Sequence, residues 1–441
     1  MMKRDFMIRI FQKNKKYTIA RANTVSRPLF TVHRLLCIFA FTLPLSLNVA
    51  TVLMWGTLVV ALYHGVSHHK SGGLKPTAFV MRDLSLLLPA VFFLLHVLAL
   101  IYTSNTQASI SELFSKFALL LFPLILWLIP LKREALQGVL WYFVLGVMLT
   151  GLVCFVRSLI NYNSIGAVSW LSYTWLSSQM GFLPAYLSLY MSLAFFISIN
   201  WLMEEWGSSR IWVKMACGFA LLFAGYMIVM LGARLVSVTF LSLLIGGFLI
   251  WMYHREMLLR GLFAVALFAL GLWKLLDSFF VTRTRMNKIV GKQLRDYDHN
   301  LFININDPRG QIWESCLAAM ERIPVWGYGI GDEVECVLLE IYDLKNYYHL
   351  LTVNTDAHNQ YIQTFLSLGY PGLLCLLMMI ALPLYLTWKN KAYLYTLFLL
   401  LIAIPMLTEC MLETAHGLMF YALFNSVLYS SLTRNSQLDT R

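Results

Sequence analysis

Apolar runs near the roughly 20 residues that an α-helix needs to cross a bilayer recur along this sequence and leave little alternative to a bundle of membrane helices. About twelve are visible, at residues 29–47, 49–64, 84–102, 113–130, 136–158, 182–202, 210–230, 235–253, 257–276, 360–387, 392–408 and 414–432. The second is short, and Pro44 and Asn48 allow the first pair to be divided elsewhere. The chain is 59% hydrophobic and 13% charged, against about 25% charged residues in a soluble domain. The expected fold is an all-α polytopic membrane protein of about twelve transmembrane helices, with one long, partly helical loop between the ninth and tenth.

Charge sets the expected orientation. The net charge of +12 raises the question of nucleic acid, but the basic residues crowd the N-terminal region (Lys3, Arg4, Arg9, Lys13, Lys15, Lys16, Arg21, Arg27, Arg34) and a few short loops. That is the positive-inside pattern of cytoplasmic segments, and it argues against a nucleic-acid partner. The tail, residues 1–28, is too long and polar before its first apolar run for a signal peptide, and reads as cytoplasmic. Twelve spans then return a short tail, 434–441, to the same side. The inward connections become "HGVSHHKSGGLKP", "LKRE", "EEWGSSR", "YHRE" and "WKNK". The expected partition is helices 1–9 over 29–276, an outward loop over 277–358, and helices 10–12 over 359–433.

That loop far exceeds the usual connection length, so it reads as structured in its own right. Within it "GQIWESCLAAMERI" sets Ile312, Leu317, Met320 and Ile323 at helical spacing, and Pro324 ends the pattern. "WGYGIGD", 326–332, lacks a preceding strand and a following GK[ST], so it reads as a flexible glycine turn rather than a nucleotide loop. The seven cysteines show no CxxC spacing and no histidine at metal-ligand spacing, so no metal or redox cofactor is expected. Cys316 and Cys336 share the loop, where a disulfide is open.

Three cationic or titratable groups, far apart in sequence, fall at the outward ends of this topology. Arg234 lies in the tight turn "MLGARLVS", where Gly232 permits the reversal; Arg309 precedes the loop helix; His358 heads the tenth span. Each alone has a plain structural reading. Arg234 can snorkel to lipid phosphates. Arg309 can be a solvated charge or pair with Asp307. His358 can sit at a helix start capped by Asp356 or Thr355. Together they suggest chemistry: guanidinium forks hold a pyrophosphate and its developing charge, while a histidine takes the proton of an attacking hydroxyl. Such a leaving group needs neither a general acid nor a metal. Glu409, Glu413 and His416 in "TECMLETAHG" lie near the same end and read first as structural partners of these cations.

The segment "HNQYIQTFLSLGYPG" has His358, Asn359, then Gly369 and Gly372 at the spacing of the O-antigen ligase family, which it resembles. "RGQIWESCLAAMERIPVWGYGIGD" and "TECMLETAHG" also look like family segments. The resemblance implies a glycosyltransferase in which Arg234 and Arg309 contact undecaprenyl pyrophosphate and His358 is the base. It implies a lipid A core or other glycan as acceptor, with Asn359, Tyr361, Tyr186, Glu409 and Glu413 as candidate substrate-binding residues. The expected location is the bacterial inner membrane with the site facing the periplasm. The chain departs from the family at Leu183, where relatives often carry histidine before Pro184 and Tyr186, and at Val238 in place of leucine. A polymerase, with a second lipid-linked glycan as acceptor, is the alternative. A flippase is disfavoured because the spans read as poor in ionisable groups and the halves show no repeat.

Overall fold

A computed structural model describes residues 27–70, 81–129, 131, 133–205, 207, 211–267, 309–351, 356–429 and 432. The expectations for residues 1–26, for 268–308 with Asp307, for Thr355 and for the C-terminal tail lie outside them. The described residues are helical and contain no strand. The principal helices are α1 (Arg27–Thr42), α2 (Leu47–Lys70), α3 (Met81–Ala99), α4 (Thr106–Ser115), α5 (Ala118–Leu128), α6 (Arg133–Ile165) and α7 (Pro184–Glu205). They continue as α8 (Ile211–Leu231), α9 (Arg234–His254), α10 (Leu258–Leu267), α11 (Arg309–Met320), α12 (Gln360–Asn390), α13 (Tyr393–Ala403) and α14 (Ala415–Tyr429).

Among the described residues, six helical stretches are long and apolar enough to cross a membrane: Ser109–Leu128, α6, Pro184–Glu204, α8, α9 and α12. Shorter apolar helices, including Leu47–Tyr63, Asp83–Ala99 and Tyr393–Leu407, pack among them. The protein is therefore a helical membrane protein. Helices suit that solvent because every backbone N–H and C=O finds its partner within the segment.

The bundle is built around its last helix. From Gly417 to Tyr429 every residue of α14 is buried, packed against α3, α5 and α13. Phe420 and Phe424 of α14 meet Phe143 of α6 and Phe398 of α13 with ring centroids 4.5–6.1 Å apart. Close backbone approach supplies the rest: a Cβ at Gly146 of α6 would lie 2.2 Å from the Phe41 carbonyl of α1. Beyond it the chain turns at Pro44, whose carbonyl accepts from Thr150 Oγ1 at 2.8 Å.

The predicted run 113–130 is two helical pieces that meet at Lys116 and Phe117, and Lys116 is 2% exposed. The sequence reading of spans poor in ionisable groups thus misses a buried lysine, which the site below accounts for.

A second apolar cluster forms the cap: Ile312, Cys316 and Ala319 of α11 pack with Leu338, Tyr342 and Leu350, and with Ala357 and Leu366 at the start of α12. The loop helix lies in the predicted stretch but ends at Met320, leaving Ile323 beyond it; Leu317 is 61% exposed and Cys316 takes its place in the core. No disulfide joins Cys316 and Cys336.

The glycine turn is packed rather than flexible. Gly327, Gly329 and Gly331 all have positive φ (80°, 109° and 84°) and are buried. Tyr328 N and Gly329 N donate to the Leu366 and Ser367 carbonyls, and Tyr370 N donates to the Val325 carbonyl. This docking uses a kink in α12 at Gly369, whose φ of 61° and ψ of −152° are open essentially to glycine alone. A Cβ there would lie 2.1 Å from the Val325 carbonyl oxygen. The close approach at Gly369 is thus to the loop turn. Gly372 makes room for Leu368 of its own kinked helix, whose Cβ would be 2.2 Å away.

Candidate active site

His358 stands two residues before α12 rather than in its first turn. The N-cap is Asn359, whose Oδ1 accepts from Tyr361 N (3.0 Å) and Ile362 N (3.1 Å), satisfying donors that a helix start leaves orphaned. Asp356 serves His358 instead. Its Oδ1 accepts the His358 backbone N–H at 2.9 Å and lies 3.5 Å from the ring Nδ1. His358 itself adopts φ 44°, a left-handed conformation that costs a non-glycine residue on the order of 1 kcal/mol or more and persists where the surroundings impose it. The ring is partly exposed and its Nε2 has no hydrogen bond among the described residues.

Arg309 begins α11, and its Nη2 donates to Glu409 Oε1 at 3.0 Å, with the pair partly exposed. A pair so open to solvent contributes at most about 1 kcal/mol, so a stronger anion can displace the carboxylate. Burial, with Asp356 adding to it, lifts the Glu409 carboxyl above its usual range even though Arg309 and His358 both favour the charge. These interactions join Arg309, Glu409, Asp356 and His358 into one electrostatic group. The sequence marked three of the four; Asp356 was weighed only as a cap, and its signal was its place two residues before His358.

Arg234 reaches the same end by topology. Tyr186, in the first turn of α7, donates to the Cys410 carbonyl at 3.4 Å, one residue from Glu409. Helix α7 runs roughly 30 Å away from that point, α8 returns, and Gly232 (φ 54°) and Ala233 link it to Arg234 at the start of α9. Helix α9 packs against the turn Pro405–Leu407, whose Leu407 carbonyl accepts from Asn359 Nδ2 at 3.1 Å. Arg234 is exposed and makes no hydrogen bond or ion pair with the other described residues. It shares the end of the bundle with the group around His358 without being bonded to it.

The other candidates hold the site in place. Asn359 is committed to its cap and to Leu407. The Tyr361 hydroxyl donates to the Ala403 carbonyl at 2.8 Å, fastening α12 to α13. Tyr186 is buried against the 408–417 segment, with its ring beside His416. Glu413 pairs with buried Lys116 and accepts from Gln360 Nε2 at 2.8 Å. Burial works against the Glu413 charge, but the Lys116 ammonium and the hydrogen bonds hold its carboxyl below the usual range. The two glutamates of "TECMLETAHG" thus divide: Glu409 faces the arginine and histidine, Glu413 the interior lysine. Among the described residues, no cluster of three or more His, Cys, Asp or Glu is arranged to hold a metal ion.

A half-buried histidine oriented by a carboxylate, beside an arginine in a displaceable pair, can accept a proton from a hydroxyl while cations hold an anionic leaving group. Residues 219–377, which include Arg234, Arg309 and His358, match the family model described as O-antigen ligase. No curated protein matches the chain.

Proposed function

We propose, from the match of residues 219–377 to the family model described as O-antigen ligase, that this membrane protein is a glycosyltransferase that moves a glycan from undecaprenyl pyrophosphate to a sugar hydroxyl of lipid A core. The proposed setting is the periplasmic face of the inner membrane. One observation carries the mechanism: His358 is held by Asp356 beside the Arg309–Glu409 pair. The acceptor oxygen attacks the anomeric carbon as the bond from that carbon to the pyrophosphate oxygen breaks. His358 Nε2 takes the hydroxyl proton while Asp356 faces the Nδ1 side, the role of the orienting carboxylate in a triad. Arg309, released from Glu409, and Arg234 hold the departing pyrophosphate. In-line displacement inverts the anomeric centre, and the two guanidinium groups supply the positive charge without a metal.

The test is transfer by the full chain in membranes from a lipid-pyrophosphate glycan. His358→Ala lowers kcat by about 10²–10⁴-fold, and the double variant of Arg309→Ala and Arg234→Ala abolishes transfer while the protein still inserts. Transfer that survives loss of both arginines overturns the reading. The lipopolysaccharide of a deletion strain identifies the acceptor. Bare core with long glycan left on the carrier is the ligase outcome, whereas single repeats attached to core point to polymerisation.

A further inference from the structure

Two buried glutamines fix the first turn of α12 in the same way. Gln360 links Glu413 to the backbone, donating to its Oε1 and accepting from Leu412 N at 2.6 Å. Gln363 donates to Glu333 Oε1 at 2.9 Å and accepts from the N–H of Ala357, the residue before His358, at 3.0 Å. Each amide ties a buried carboxylate to a segment bearing site residues. The two carboxylates differ in what else holds them. Glu413 has Lys116 on its other oxygen, whereas Glu333, 1% exposed, has no hydrogen bond to Oε2 among the described residues. Glu333 also opens a short π-helical stretch, Glu333–Leu338, and such widened turns recur at functional sites.

We propose that Glu333 is a positioning residue for glycan transfer, acting on His358 through the Gln363 amide and the Ala357 N–H. The proposal rests on the transferase reading above. Lys116 is one cation facing three carboxylates, since it pairs with Glu413, lies 3.8 Å from Glu112 and also acts on Glu333. A buried carboxylate with no cation of its own neutralises. Burial, then Glu112 and Glu413, push the Glu333 carboxyl well above the usual range, against the smaller pull of Lys116.

The other charged or titratable groups around it are accounted for. Tyr102 donates to the Trp326 carbonyl, and Asp332 is held by the backbone N–H groups of Ser104 and Asn105. His96 lies near Lys116 and Glu413 and bonds the Phe92 carbonyl. Of the packed loop helix, Arg309 pairs with Glu409, and Glu314 bonds Lys345 and Tyr347. Neutral Glu333 accepts from Gln363 and leaves Lys116 to Glu413. Once ionised, it competes for Lys116 and disturbs both glutamine links, and with them the turn that holds His358 at φ 44°.

The experiment compares the full chain with its Glu333→Gln, Glu333→Leu and Gln363→Leu variants, each checked for folding by size exclusion in detergent. Transfer is measured with kcat and acceptor KM separated, and carbethoxylation of His358 by diethylpyrocarbonate is followed by peptide mass spectrometry without any substrate. Both leucine variants lower kcat by about ten- to a hundredfold, leave the acceptor KM within about twofold and change the His358 modification rate. Glu333→Gln keeps a carbonyl for Gln363, stays near the wild-type rate, and lacks the fall in activity expected of the wild type as pH rises through the raised Glu333 value. A folded Glu333→Leu protein that matches the wild type in both readouts overturns the proposal. Should that variant not fold, a wild-type fall with rising pH that persists unchanged in Glu333→Gln overturns it instead. If the wild type transfers nothing, but His358 modification responds to Glu333→Leu and not to Glu333→Gln, the transferase reading falls and the positioning role stands.

Discussion

At the scale of single residues, the site pairs groups that compete. Arg309 is bonded to Glu409, and the proposed reaction needs that guanidinium for pyrophosphate. Because burial raises the Glu409 carboxyl above its ordinary range, the folded chain binds a proton there at pH values where the unfolded chain does not. Its contribution to stability is full below the unfolded pKa and declines as pH rises through the folded one. The same titration governs Arg309: as pH falls through the raised value, Glu409 neutralises and the arginine is released. Donor KM in the wild type therefore decreases as pH falls through that window, and Glu409→Gln removes the dependence and holds KM at its low-pH value. A donor KM with the same pH profile in both proteins would show that Glu409 does not govern the arginine. The Arg309, His358 and Glu409 parts of this group could be seen in the sequence because each is an ionisable residue beside a span. The choice of Asn359 over Asp356 as cap could not, since both are favoured N-cap types and only the backbone at His358 decides between them.

At the scale of elements, helix existence was legible and helix interruption was not. A long apolar run declares a span by transfer free energy alone, which fixed α6, α8, α9 and α12. The kink at Gly369 and the break at Lys116 depend on what lies across the bundle, and no local pattern encodes that. Gly369 shows the energetic weight of such a tertiary constraint. A side chain there faces both a forbidden backbone conformation and the Val325 carbonyl, so Gly369→Ala costs more than the roughly 1–3 kcal/mol of the strained dihedral alone. Gly218 and Gly225 in α8 have open space where a Cβ would go, and alanine at either is neutral or stabilising by up to about 1 kcal/mol. Unfolding midpoints in detergent for the three variants test this contrast. Similar midpoints for Gly369→Ala and Gly225→Ala would mean that the loop turn is not docked into the kink. The docking matters for the site because the same glycine turn continues into Asp332 and Glu333, so the kink sets where the cap meets the first turn of α12.

At the scale of the whole molecule, a buried charge pair joins three parts of the chain: Lys116 between α4 and α5, Glu413 before α14, and Gln360 at the start of α12. Hydropathy could not announce it, because one lysine in an apolar run hardly changes the average and its partner lies 297 positions away. The interior of this bundle therefore carries charge, in a self-paired form. Removing one partner leaves the other buried and uncompensated, which typically costs about 3–5 kcal/mol, whereas replacing both with neutral groups of similar size is often close to neutral. Lys116→Met should accordingly destabilise the protein by that amount, and Glu413→Gln added to it should recover most of the loss while keeping the amide link to Gln360. Equilibrium unfolding in micelles of the two single variants and the double variant gives the coupling directly. If the single and double variants are equally destabilised, the lysine contributes through packing of its stem. If the double variant recovers stability but not transfer, the pair acts on the His358 turn beyond holding the helices together, through the carboxylate bonded to Gln360 and through the lysine's pull on Glu333.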